Sequence, residues 1–124
     1  SMATITPSFS TLQNDGSVVV VTWAALTTTN SDGAPLDWTQ WADRCISFTG
    51  TFGAGGTVVL QGSNDGTNYF TLNNAQGTAL SFTAAGLKQA VELPLWVRPF
   101  VSAGDGTTSI TAILVARRQQ PLRV

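Results

Sequence analysis

From Ile46 to Phe52 apolar residues alternate with small polar ones, so that Ile46, Phe48 and Phe52 fall on one side and Ser47, Thr49 and Thr51 on the other. A period of two belongs to an antiparallel strand with one buried and one wet face, and a helix cannot reproduce it. Runs rich in strand-forming residues recur at 18–23, 57–62, 69–72, 80–83, 96–101 and 109–117, each set off by Gly, Asn, Asp or Ser. Seven or eight short strands without βαβ alternation predict an all-β fold. Its two antiparallel sheets would pack as a β-sandwich or jelly roll, with one domain covering all 124 residues. Only 83–91 has room for a helical turn, and Gly86 in its middle argues against a long one.

Four Asp-Gly pairs, at 15–16, 32–33, 65–66 and 105–106, lie between apolar segments and read as turns. Asp-Gly supplies the positive φ of tight hairpin loops, so Leu60 to Tyr69 and Val101 to Ser109 are expected to be β-hairpins. The last strand departs from simple alternation. Ile110, Ala112, Leu114 and Ala116 are apolar on one face, but Ile113 and Val115 are apolar on the other, which suggests a second covering partner such as another subunit. Pro94 and Pro99 bracket 95–98 and place that segment at a sheet edge or bulge, since proline cannot donate to a ladder.

Composition narrows the chemistry. The chain has no His and one Cys, which removes Ser-His-Asp and Cys-His nucleophile systems, imidazole metal ligands and an intramolecular disulfide. Cys45 has no base or metal partner in the sequence and reads as a small half-buried strand residue. Asn64-Asp65-Gly66 lacks the alternating carboxylates of a calcium loop, and Asp37 with Asp43 is no more suggestive of a general acid and base than any other pair among seven acids. No catalytic, cofactor or metal site is expected. No apolar run approaches the roughly 20 residues of a membrane span, and the start lacks the basic and apolar regions of a signal peptide. Ser1 ahead of Met2 reads as a remnant of tag removal, and the protein is expected to be soluble.

Net charge is −1, unevenly laid out. Arg117, Arg118 and Arg123 supply three of the six basic residues, so the first 116 residues hold three basic against seven acidic side chains. Such a body has little affinity for nucleic acid, whereas the basic tail, 117–124, could dock on an acidic protein surface or remain solvated. Trp38 and Trp41, beside Asp37 and Asp43, could anchor a protein interface, stack on a sugar or simply fill the end of the core.

The stretch 56–72 (GTVVLQGSNDGTNYFTL), with 80–86 (LSFTAAG) and 96–99 (WVRP), resembles small structural proteins of tailed bacteriophages, most of all capsid cement or decoration proteins of Bordetella-type podophages. The opening 2–9 and the 32–35 loop fit the same resemblance, which thus covers most of the chain. The hairpin motif is also similar to one in discoidin-like carbohydrate-binding modules, where Trp often follows the Asn and this chain has Tyr69. The cement resemblance implies a non-enzymatic protein, made in the host cytoplasm, that binds the outer capsid surface of the virion. There it would meet the major capsid protein and copies of itself, a dimer by default, with neither nucleic acid nor membrane as partner. Its contacts would use an N-terminal arm (2–12, with Ile5 and Phe9), the tail (Arg117, Arg118, Arg123), Trp38, Trp41, Trp96, and the second face of the last strand (Ile113, Val115). Another virion component, at a head fibre base or in the tail, and a glycan-binding module are the alternatives.

Overall fold

The computed structural model describes residues 3–12, 16–37 and 41–118. Nine strands follow one another: β1 (Ser8–Leu12), β2 (Val18–Leu26), β3 (Trp41–Thr51), β4 (Thr57–Ser63), β5 (Phe70–Thr71), β6 (Ser81–Phe82), β7 (Gly86–Ala90), β8 (Trp96–Ala103) and β9 (Ser109–Arg118). All pairings between them are antiparallel. One sheet has the order β1-β2-β9-β3-β7; in the other, β4 is central, with β8 along one side and the short β5 and β6 sharing the opposite side. The predicted all-β sandwich is the observed architecture.

Alternation puts the core where the sequence places it. Ile46 and Phe48 of β3, and Ile110, Ala112, Leu114 and Ala116 of β9, are fully buried among Val19, Val21 and Trp23 of β2 and Val58 and Leu60 of β4. Phe82 of the small sheet meets Phe48 of the large one with ring centroids 4.9 Å apart.

Two bulges against β9 decide which side chains join this core. The β2–β9 register shifts between Trp23 and Leu26, and the β3–β9 register between Ala42 and Cys45. Each shift contains a non-glycine residue at positive φ, Ala25 at 63° and Asp43 at 47°. An extra residue reverses the parity of what lies beyond it. Trp23 and Leu26 therefore both point inward, as do Trp41 and Arg44.

The edge expected around Pro94 and Pro99 is present, and it is covered. Beyond β4, β8 is bonded by the irregular segment 31–36: Gly33 N–H donates to the Pro99 carbonyl (3.0 Å), Leu36 and Val97 exchange bonds of 2.8 and 2.9 Å, and Val101 N–H donates to the Ser31 carbonyl (2.8 Å). Proline's missing donor costs no β4–β8 bond, because Pro99 faces this segment.

Several local expectations are corrected. Gly16 and Gly66 do adopt positive φ, 66° and 76°, and the 60–69 region is a hairpin joining β4 to β5. Asp32 and Gly33 are not a turn but extended residues, bridged to Phe100 and Ile5. Val101 to Ser109 is not a hairpin either. Since β8 pairs with β4 while β9 lies between β2 and β3, the Asp105-Gly106 turn is an arch from one sheet to the other. The possible helical turn at 83–91 is strand β7, which pairs with Arg44–Phe48 after residues 83–85 cross between sheets. Within the supposed N-terminal arm, 8–12 is β1, laid along β2, and Ile5 is bridged to Gly33.

Candidate functional site

The outward face of the four-stranded sheet carries a row of rings around one cation. Val97, Pro99 and Val101 of β8 turn inward, so the intervening Trp96, Arg98 and Phe100 face out, all half-buried. The Arg98 guanidinium carbon lies 3.9 Å from the Tyr69 ring centroid and 5.7 Å from that of Phe100. Across the β4–β8 pair its Nε donates to Gln61 Oε1 at 2.9 Å, and Nη1 sits 3.7 Å from Asp32 Oδ2. A guanidinium can stack and donate in its plane simultaneously, which an ammonium cannot. Stacking on partly desolvated rings is worth about 0.5–2 kcal/mol, and a half-exposed ion pair like that with Asp32 about 1 kcal/mol at most. Gly66 lies over the Trp96 ring, whose nearest atom would be 3.5 Å from a Cβ placed there. The result is a fixed patch of Trp, Tyr, Phe and Arg, the residue types that dominate protein–protein contact energies.

A hydrogen-bonded carboxylate holds the hairpin above this patch. Asp65 Oδ1 accepts from the backbone N–H of Asn68 (2.7 Å) and Thr67 (2.8 Å) and from the Ser63 hydroxyl (3.0 Å), and Oδ2 accepts from Asn68 Nδ2 (2.7 Å). These bonds, led by the Asn68 N–H, hold its pKa well below the usual carboxylate range. Asp105 does the same work in the inter-sheet arch. It accepts from the Thr107 hydroxyl (2.6 Å), Ala54 N–H and Thr107 N–H, which bring its pKa down to about 2. Both carboxylates act as turn organisers.

The candidates named from the sequence are scattered over the molecule. Trp41 is corrected as a surface anchor: it is 6% exposed and belongs to the core, because the bulge at 42–45 turns it inward. Its ring lies 5.7 Å from the Arg118 guanidinium, and its carbonyl accepts from Nε of Arg44, whose burial lowers the guanidinium pKa. Ile5 is half-buried against the core, and Phe9, 47% exposed, lies on β1 opposite Val21. On the outward face of the large sheet Val115 stands between Val20 and Cys45, and Ile113 between Thr22 and Ser47, all half-buried. Arg117 and Arg118 end β9 in exposed positions. Trp38 and Arg123 lie outside the described residues. Of the interface candidates among the described residues, only Trp96 falls in the aromatic patch, where it is joined by Tyr69 of the hairpin motif shared with carbohydrate-binding modules.

Arg98, Phe100 and Asp32 are not among the contact residues expected from the sequence. The signal for the first two was the period-two pattern Trp96, Arg98, Phe100 interleaved with Val97, Pro99, Val101; Asp32 had none, since its place depends on 31–36 folding along β8. Among the described residues no group of three or more His, Cys, Asp or Glu stands close enough to hold a metal ion, and no helix is long and apolar enough to cross a membrane. In class the molecule is an antiparallel β-sandwich with an ordered aromatic and arginine patch on one outward face. Comparison with family models, curated proteins and solved structures finds no match.

Proposed function

We propose that this protein is a non-enzymatic structural component of a bacteriophage head, a cement protein that binds the outer surface of the expanded capsid and bridges coat subunits. One observation carries the reading. The three segments that resemble phage cement proteins, 56–72, 80–86 and 96–99, together supply β4, β5, β6 and the start of β8, hence most of the four-stranded sheet and its patch. The coat protein would be met by Trp96, Tyr69, Arg98 and Phe100. The apolar outward face at Ile113 and Val115 would serve contact between copies. A ligand that binds only the assembled, expanded shell stabilises it by mass action.

Co-sedimentation with heads of the source phage stripped of this protein tests the proposal, with unexpanded heads as control. Saturable binding to expanded heads alone, at a fixed ratio to coat protein, is the expected result. Equal binding to both forms, or to neither, would contradict it.

A further inference from the structure

A second feature lies beside the patch. The β4–β5 hairpin, β5 and the 92–94 link enclose an open groove of about 610 Å³, within the size range of small-ligand sites. Its apolar part consists of Phe70 and Leu93, which are 70% and 60% exposed, with Leu72 and Pro94 beside them. Gly62 makes this close packing possible: a Cβ there would collide with Pro94 and lie 2.8 Å from Leu72 Cδ2. The polar part includes the carboxylates and amides of Asp65, Asn68, Asn73 and Glu92 beside the hydroxyls of Ser63 and Thr71, and none of the described lining residues is basic.

Both walls are set before any ligand arrives. Asp65 fixes the hairpin, Asn64 Oδ1 accepts from Leu95 N–H (3.2 Å), and Glu92 accepts from Asn73 N–H and, at 3.4 Å, from its Nδ2. Such preorganisation lowers the ordering cost of binding. Asp65 Oδ2 and the Glu92 oxygens keep acceptor capacity beyond these bonds, and the Asn amides bring donors and acceptors. The matching ligand has an apolar face for Phe70, hydroxyls that both donate and accept, and no negative charge.

We propose that this groove is a carbohydrate-binding site for a neutral oligosaccharide, with the C–H face of a pyranose on Phe70 and its hydroxyls shared among Asp65, Asn68 and Glu92. The assignment rests on the groove alone and is independent of the head-binding reading. The test is a titration of the full chain, followed by backbone amide NMR shifts, with two- to four-unit oligosaccharides of glucose, galactose, mannose and N-acetylglucosamine. Concentrations up to about 10 mM suit the roughly millimolar Kd of an open site. Saturable shifts from at least one sugar at 64–73 and 92–93, reduced about tenfold or more in affinity by Phe70→Ala and by Leu93→Ala, are expected. Both side chains are exposed, so the rest of each variant's spectrum should superimpose on wild type. No saturable shift with any sugar, shifts confined elsewhere, or undiminished binding by both variants would overturn the assignment. So would a tri-lysine peptide that saturates the groove where the sugars do not.

Discussion

Gly33 sits where two rigid rings leave room for no side chain: a Cβ would be 2.6 Å from Trp23 Cδ1 and 2.7 Å from the Pro99 ring. Trp23 cannot swing aside freely, since its indole Nε1 donates to the Ala34 carbonyl at 2.9 Å. Gly33→Ala is therefore expected to destabilise the fold by about 1–3 kcal/mol, the usual cost of overpacking, as read by urea unfolding; an unchanged midpoint would show that the 31–36 segment yields. At the patch, Arg98→Lys should cost about 1 kcal/mol by the same measurement, because an ammonium keeps the charge near Asp32 but loses the planar stacking on Tyr69. The depressed carboxylates fix the acid response. Asp65 and Asp105 release protons more readily when folded than when unfolded, so their contribution is complete above the ordinary carboxylate range and is lost as pH falls through it toward 2. The melting temperature should hold steady from pH 8 to about 5 and fall below about 4. Asp105→Asn should lower it at neutral pH and make the acid decline shallower.

Among the elements, β9 has the most to lose. It is flanked along its length by β2 and β3, whereas β1 and β7 each have a single neighbour among the described strands. Hydrogen exchange should accordingly be slowest at 110–116, where every second side chain is buried, and fastest, among sheet amides of the large sheet, in β1 and β7; equal rates across the sheet would contradict this order. The bulges beside β9 also mark how far the sequence could be read. The strictly alternating run 46–52 was legible because only one face choice buries its large residues, and 109–117 was legible as a strand from its β-rich run although Ile113 and Val115 make its second face apolar too. Trp41 was not, since a bulge carries no composition of its own, and one inserted residue turned a candidate surface ring into core. Strand β7 failed for a related reason. Gly86-Leu-Lys-Gln-Ala has one buried side chain, Ala90, and its strand state comes from pairing with β3 across a long sequence separation. Asp105-Gly106 has the local chemistry of a hairpin, and only the sheet assignment of β8 and β9 makes it an arch. The groove needed the most tertiary information, because Phe70 and Leu93 are brought together by the β4–β5 hairpin and a link from the other sheet.

For the molecule as a whole, the two outward faces differ in kind. One presents Trp96, Tyr69, Arg98 and Phe100 in fixed positions, and the other presents the half-buried aliphatic residues Val20, Ile113 and Val115. The proposed function assigns the first to the capsid. Thr71 lies on that face, exposed and paired with Gln61, and Thr49 is exposed on the opposite face, paired with Thr111, so each can accept a carboxylate without disturbing the core. The most direct measurement is the affinity of wild type, Thr71→Glu and Thr49→Glu for stripped, expanded heads by co-sedimentation. The account predicts a loss of about tenfold or more for Thr71→Glu and a distinctly smaller loss for Thr49→Glu, whose face serves contact between copies. Equal affinity for all three, or a loss confined to Thr49→Glu, would contradict it.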